Sequence, residues 1–305
     1  MNKEELLKLY NMDLDELLEI SSKYIKNEVE FCSLVNARNG KCSQNCKYCA
    51  QSSHYCTNIE TFPIIEVEEV KKAAQEAREN KVSRFAIVTS GRTPDEGRDF
   101  QIELDMIKEI NKIDGLQSCA SIGILNEEQA KLLAETGLKR FHHNINTCRS
   151  YYPEVCTTHT YQDRVDTCKL VKKYGMELCC GVILGMGETV EQRIEMAMEL
   201  AEIQPDSIPI NILMPIPETP FENYHDKIDE ENVLRTLAVF KIANPNSILR
   251  FCGGRMRLSE ENQKKALNTC VEGIMVGNYL TTIGKAPEED IEMIKGLGKT
   301  IVNIS

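Results

Sequence analysis

The segment Lys41-Cys42-Ser43-Gln44-Asn45-Cys46-Lys47-Tyr48-Cys49 carries three thiols in the spacing C-x3-C-x2-C. Three thiolates this close on one loop can hold three corners of a cubane iron–sulfur cluster. The fourth iron then lacks a protein ligand and is open to a substrate or cofactor. Zinc is the competing metal, but a structural zinc site needs a fourth protein ligand. His54 and Cys56 are close enough in sequence to keep zinc open.

The chain has 13 cysteines in 305 residues. An odd count in a long chain does not fit a small disulfide scaffold. The start, Met1-Asn2-Lys3-Glu4-Glu5, has no basic segment followed by an apolar core, so no secretory signal is expected. A cytoplasmic, reducing compartment follows, with most thiols free and some available to metal. The formal charge of −11 argues against nucleic acid or anionic membrane as the main partner. No apolar run approaches the ~20 residues of a membrane span.

Short β-rich runs alternate with amphipathic helical stretches along nearly the whole chain. The strand candidates are Phe31–Asn36, Ser83–Thr89, Gln117–Ile122, Arg140–Asn146, Glu177–Leu184, Ser207–Met214, Ile248–Cys252 and Gly273–Val276. Helices are expected near 66–80, 99–113, 126–136, 161–174, 188–203, 228–243, 259–271 and 287–296. Asn126-Glu127-Glu128-Gln129 is a capped start, and Gly137 is a stop. Such alternation implies parallel strands joined by helical crossovers. Eight units suggest an α/β fold of the (β/α)8 TIM-barrel type, although a doubly wound sheet shares the pattern. Residues 1–30 are expected as an acidic helical extension packed outside, and 31–305 as the barrel domain. In such a barrel the chemistry sits at the C-terminal strand ends and the loops after them. Cys42 to Cys49, Asn144, Asn146, Asn211, Arg250 and Cys252 all fall there.

A cysteine triplet with an aromatic residue before its last cysteine, in a loop after the first strand, resembles the radical S-adenosylmethionine (SAM) enzymes. Within them the chain resembles the biotin synthases from about Phe31 to about Glu289. The resemblance rests on Cys-Lys-Tyr-Cys-Ala-Gln-Ser-Ser at 46–53, His-His-Asn-Ile-Asn-Thr at 142–147 and Thr-Thr-His-Thr-Tyr-Gln-Asp-Arg at 157–164. It continues in Gly-Met-Gly-Glu-Thr at 185–189, Pro-Ile-Asn at 209–211, Arg-Phe-Cys-Gly-Gly-Arg at 250–255 and Gly-Asn-Tyr-Leu-Thr-Thr at 277–282.

The resemblance implies that Cys42, Cys46 and Cys49 ligate a 4Fe–4S cluster whose open iron chelates SAM. One electron then cleaves SAM to methionine and a 5′-deoxyadenosyl radical. No side chain is expected as a catalytic acid or base. Tyr48 would lie beside the adenine. Gly185 and Glu188, in the run Gly181 to Glu188, belong to a stretch along the same ring, where glycine permits close backbone approach. Arg164 matches an arginine that pairs with the SAM carboxylate, which a guanidinium suits in bidentate fashion. Asn144 and Asn146 are two apart, so an extended strand would turn both to one side. Asn146 stands where the family often has an aspartate on the ribose hydroxyls. Asn211 matches a contact to the ureido ring of dethiobiotin, and Asn144 is a second candidate for that substrate. His142, His143 and His159 show no metal-ligand spacing and are expected to be structural or supporting.

The family usually holds a second, 2Fe–2S cluster deep in the barrel, ligated by three cysteines and an arginine and thought to donate the inserted sulfur. Cys119, Cys179 and Arg250 match three of those positions. Ala86 stands at the fourth, and alanine cannot ligate iron. If Arg250 points inward, so does Cys252, two residues on. Cys119, Cys179 and Cys252 are therefore expected to hold a different auxiliary cluster, of four irons with an extra sulfide, with Arg250 beside it; 2Fe–2S remains the alternative. Cys180 should point outward. Cys32, Cys56, Cys148, Cys156, Cys168 and Cys270 are expected to be structural, with Cys148 and Cys156 as weaker second-site candidates.

The function so implied is radical SAM sulfur insertion that converts dethiobiotin to biotin by hydrogen abstraction at C9 and then C6. A low-potential donor such as ferredoxin or flavodoxin, a homodimer and an anaerobic setting go with it. The alternatives are another enzyme of the biotin synthase-like group, of hydrogenase-maturation or methylornithine type, and a non-catalytic zinc- or cluster-binding barrel.

Overall fold

A computed structural model describes residues 1–94, 97–277 and 284–304. After Gly277, the run Asn278-Tyr279-Leu280-Thr281-Thr282 lies outside the described residues.

The chain opens with two short helices, α1 (Lys3–Tyr10) and α2 (Leu14–Ser22), capped by the side chains of Asn2 and Asp13. It then alternates β1 (Glu28–Arg38), α3 (Val67–Glu79), β2 (Arg84–Thr89), α4 (Arg98–Ile110), β3 (Gln117–Ser121), α5 (Glu127–Glu135) and β4 (Arg140–His142). Next come α6 (Tyr152–Val155), α7 (Tyr161–Lys173), β5 (Glu177–Cys179), β6 (Val182–Leu184), α8 (Val190–Ile203), β7 (Ser207–Ile212), α9 (Glu230–Ala243) and β8 (Ile248–Phe251). The chain ends with α10 (Glu260–Thr269), β9 (Gly273–Met275), α11 (Pro287–Gly296) and β10 (Thr300–Ile301). All pairings between these strands are parallel, and β9 returns to β1 through Glu30–Gly273, Phe31–Ile274 and Cys32–Met275. That closure makes a (β/α)8 barrel and excludes the open doubly wound sheet.

Three local differences from the sequence expectation have physical causes. The fifth barrel strand is split into β5 and β6 rather than running unbroken to Leu184. Opposite the gap sits Pro209 of β7, which has no N–H to give the ladder. Gly181 presses so closely there that a Cβ would lie 1.9 Å from the Pro209 carbonyl oxygen. Strand β4 ends at His142 rather than Asn146, because Asn146 takes a left-handed conformation with φ of 66°. Finally, β10 adds an unexpected strand outside the barrel, against Glu28 and Val29 of β1.

The expected capped helix is present, with Asn126 Oδ1 accepting from the Gln129 amide at 2.8 Å. At the N-terminus, Leu6, Tyr10, Leu17 and Leu18 are buried against Ile194 of α8 and Ala238, Val239 and Ile242 of α9. Among the described residues no helix is long and apolar enough to cross a membrane.

Candidate active site

The cysteine loop is fastened at every few residues. The Cys42 amide donates to the Gln51 carbonyl at 2.9 Å, and the Cys49 amide to the Cys46 carbonyl at 3.0 Å. Asn45 ties the loop to the segment after α6: its Oδ1 accepts from the amides of Thr157 at 3.0 Å and Thr158 at 3.2 Å. Cys42, Cys46 and Cys49 all line one cavity of about 240 Å³ at the C-terminal mouth of the barrel. Cys46 is buried, and Cys42 and Cys49 are half-buried. Burial pushes the Cys49 thiol up to about 11. It therefore keeps its proton at neutral pH unless a cation displaces it.

The same cavity is lined by Tyr48, Asn144, Asn146 and Arg164. Arg164 donates from Nε to the Tyr152 hydroxyl at 2.9 Å and from Nη2 to His159 Nε2 at 3.1 Å. Burial opposes its charge, but Tyr152, Tyr48 and Cys46 more than compensate and keep it protonated. Among the described residues no carboxylate pairs with it. Asn144 Oδ1 accepts from the Gly181 amide at 3.0 Å. The two asparagines reach the cavity through a turn at Asn146, not through strand alternation.

Asn211 lines a neighbouring cavity of about 230 Å³, shared with Tyr48, Cys49, Leu34, Ile183 and Met275. Its amide bridges two segments, with Nδ2 donating to the Val182 carbonyl at 3.2 Å and Oδ1 accepting from the Gly253 amide at 3.0 Å. Tyr48 and Cys49 stand between the two cavities. Gly185 and Glu188 line neither. The Glu188 carboxylate instead accepts from the amides of Gly185 at 2.9 Å and Met186 at 2.8 Å, which holds the turn together.

Beneath the mouth lies a floor of charge. The Glu30 carboxylate accepts from Arg140 Nη1 at 2.7 Å, from Arg84 Nε at 3.1 Å and from Arg250 Nη2. Burial alone would raise Glu30, but the three guanidiniums outweigh it and hold the carboxyl far below its ordinary range. These contacts fix the interior face of each strand. Glu30 points in, so Cys32 and Leu34 do too. Cys119 is level with Ala86, and Cys179 with His142, a residue that lines the upper cavity. Cys119, Cys179 and Cys252 are all buried, and burial pushes Cys119 up to about 12. Cys252 sits in the electrostatic company of Cys32, Arg250 and Cys179. Arg250 Nε donates to Ser207 Oγ at 2.7 Å, while its Nη1 and that of Arg84 have no hydrogen-bond partner among the described residues. Burial and the arginines nearby push His142 down to about 3, so it stays neutral.

Cys180 faces the helix layer, 3.8 Å from Cys168 of α7, and Cys148 lies against Ser150. His54 Nε2 lies 3.1 Å from the Ser43 carbonyl oxygen and Cys56 is exposed, and among the described residues neither falls in a cluster of potential metal ligands with the triplet. Two groupings escape a reading by motif. Cys32 joins the interior thiols, and its two-residue offset from Glu30 was the available signal. Cys156 and His159 close on Cys46, with ligand atoms all within 4.8 Å of one another. Their C-x2-H spacing was the signal there.

The Radical SAM superfamily profile matches residues 38–201, and that of the Biotin and Thiamin Synthesis associated domain matches residues 209–300. A protein named biotin synthase from Acetivibrio thermocellus is 45% identical over 93% of this chain and 88% of its own. The chain belongs to the biotin synthase family. It is a radical SAM enzyme, of the sulfur-inserting kind. A biotin synthase from Pelotomaculum thermopropionicum is 41% identical, over 98% of this chain and 95% of the relative. Among solved structures, the FeFe-hydrogenase maturase HydG superposes with a TM-score of 0.85 at 18% identity, over 100% of this chain and 73% of that one. Methylornithine synthase gives 0.83 at 16% identity, over 99% of this chain and 94% of that one. At such identity the likeness is one of fold alone.

Proposed function

We propose that this enzyme converts dethiobiotin to biotin with two iron–sulfur groups, one at the barrel mouth and one below it. The observation that carries the reading is the pair of sulfur-rich sites in one barrel, adjoining an Asn211-lined cavity. Cys42, Cys46 and Cys49 would hold a 4Fe–4S cluster. The donor set fits: three thiols face one cavity, and burial keeps Cys49 protonated until a cation takes the proton's place. When bound, the cluster and SAM would supply a 5′-deoxyadenosyl radical, the hard chemistry the polypeptide lacks.

The chain's own work is to bind, orient and exclude water. Arg164 offers a buried cation to the SAM carboxylate. Tyr48 is the wall between the cavities, against which adenine would lie. Asn144 and Asn146 present amides to hydroxyls or to a ureido group, which has donors and acceptors to match. Asn211 would orient dethiobiotin in the adjoining cavity, with its amide held still by Val182 and Gly253. Gly185 and Glu188 would act on the adenine side only through the shape of the turn they hold.

Cys119, Cys179 and Cys252 would hold the auxiliary cluster, a four-iron one with an extra sulfide. Ala86 withdraws one ligand of the usual two-iron arrangement, and Cys252 supplies another. Arg250, already engaged by Glu30 and Ser207, would donate its free Nη1 to a cluster sulfur rather than ligate iron. The donor set fits here as well: Glu177 also pairs with Arg84 at 3.1 Å and Arg140 at 2.7 Å, yet three arginines still outnumber Glu30 and Glu177 and leave room for anionic sulfur. Residues 31–305 would be the catalytic domain and 1–30 a brace on α8 and α9. A ferredoxin or flavodoxin donor, a homodimer and a cytoplasmic setting complete the proposal.

The test is an anaerobic assay of the reconstituted enzyme with dethiobiotin, SAM and a low-potential reductant. Biotin, formed with 5′-deoxyadenosine and methionine, is expected. Deoxyadenosine that forms at the same rate with and without dethiobiotin, and no biotin, would reject the substrate.

A further inference from the structure

We infer that Arg257 is a positioning residue for the organic substrate: its guanidinium closes the loop after β7, residues 213–229, and so fixes the apolar wall of the cavity beside Asn211. This rests on that cavity holding dethiobiotin, as proposed above.

The loop supplies three of the cavity's apolar side chains, Leu213, Met214 and Ile216. A long irregular loop must recover its ordering entropy from bonds outside a ladder. Its own backbone bonds are local. The Thr219 amide donates to the Ile216 carbonyl at 3.2 Å, the Glu222 amide to the Thr219 carbonyl at 3.0 Å and the Tyr224 amide to the Phe221 carbonyl at 3.1 Å. They shape the outer part of the loop but do not tie it to the barrel.

Two attachments do. On the outer side, Phe221 is buried with Met186 and Leu213, and Tyr224 stacks on it with ring centroids 4.4 Å apart. A Cβ on Gly187 would lie 3.3 Å from the Tyr224 ring, so the loop leans on the turn that contains Gly187. At the neck stands Arg257, in the helical turn Arg255–Arg257 that follows β8. Its Nη1 donates to the Leu213 carbonyl at 2.8 Å, and its Nη2 donates to the His225 carbonyl. One carbonyl begins the loop and the other lies near its end. A planar fork that holds both fixes the width of the neck.

Leu213 passes this constraint to the cavity. Its amide donates to the Leu184 carbonyl at 2.8 Å, its carbonyl accepts from Arg257, and its side chain lines the wall. A wall of Leu, Met and Ile recognises hydrocarbon by burial. It would therefore hold the hydrocarbon part of dethiobiotin while Asn211 meets the ureido end. Losing the clamp should loosen the wall and leave the Asn211 amide in place, since Val182 and Gly253 hold it. The SAM side should also stay, because Glu188 holds the Gly185–Met186 turn independently.

The test compares reconstituted wild type, Arg257→Ala and Arg257→Lys in three readouts: KM for dethiobiotin, calorimetric affinity for SAM, and hydrogen exchange of peptides covering 213–229. Arg257→Ala should raise KM about tenfold or more, the effect of one charge-assisted hydrogen bond, and leave SAM affinity unchanged. Exchange across the loop should quicken as the neck opens. Lysine keeps the charge but can reach only one carbonyl, so Arg257→Lys should fall between the two. Unchanged KM or unchanged exchange in Arg257→Ala overturns the inference. Equal losses of dethiobiotin and SAM binding would make Arg257 a general support of the mouth and overturn it too. If Arg257→Ala does not fold, Arg257→Lys decides by the same readouts. Wild-type enzyme that forms no biotin rejects the substrate reading itself, and this inference with it.

Discussion

The mouth and the floor of this barrel both gather sulfur and positive charge, but they are built in opposite ways. At the mouth, three thiols come from one stretch of loop, and the buried Arg164 is held by a phenol and an imidazole rather than a carboxylate. On the floor, single residues from β1, β2, β4 and β8 meet in a closed ionic knot around Glu30. Among the described residues the mouth leaves its guanidinium without a carboxylate partner. The floor spends most of its charge internally and, among the described residues, leaves one Nη1 each of Arg84 and Arg250 without a partner. A loop site can lose a ligand and leave the fold intact. A floor site is part of the fold, so its variants mix chemistry with stability.

The sharpest way to break this contrast is at the thiols. The Cys42/Cys46/Cys49→Ala variant should fold and lose all biotin formation. Iron should fall from about eight to about four per chain, all of the remainder cubane-like by Mössbauer spectroscopy, if the auxiliary cluster has four irons. A two-iron signal in its place would return the floor to the ordinary arrangement and remove Cys252 from it.

On the floor, Cys179→Ala and Cys252→Ala should each abolish biotin formation and the auxiliary iron, while the mouth cluster still cleaves SAM. Auxiliary iron that disappears in Cys179→Ala but survives in Cys252→Ala would break the three-cysteine assignment. Cys32→Ala, measured beside them, shows whether the fourth interior thiol is also needed.

Glu30→Gln tests the knot itself. Removing one partner of a buried ion network costs about 3–5 kcal/mol, so the melting temperature should drop clearly. The pH dependence has a definite sign. The carboxyl is depressed in the folded state, so its contribution is present above the ordinary glutamate value of about 4.3 and is lost as pH falls below it. The variant should therefore lose the acid-side part of the stability profile and keep the rest. Equal acid sensitivity in both proteins would show that other groups govern it.

The smallest effect is expected from Arg164→Lys. Charge stays, but planar bidentate geometry goes. Charged hydrogen bonds contribute about 1.5–3 kcal/mol, so SAM binding should weaken by roughly tenfold to a hundredfold. Calorimetric titration that finds unchanged affinity would take the SAM carboxylate away from this residue.

The sequence alone determined the alternation of strands and helices, the cysteine loop and the family. Each rests on local order: β-rich runs, capped helices, and ligand spacing within one short segment. The barrel could not be told from a doubly wound sheet until β9 was seen to pair with β1, because closure is a contact between strands more than two hundred residues apart. Local pattern also missed the break in the fifth strand, since its cause is Pro209 on a neighbouring strand. It missed the turn at Asn146, where an alternation argument reached the right cavity for the wrong backbone reason. Cys119, Cys179 and Cys252 were legible as inward-facing positions once strand direction was assumed. Cys32 needed Glu30 as a reference, and Glu30 declared its side only by meeting three arginines. The pairing of Cys156 with Cys46 was beyond any local reading, because two loops 110 residues apart bring those sulfurs together. Spacing in sequence sets what a segment can ligate; which segments share a space is set by the closure of the sheet.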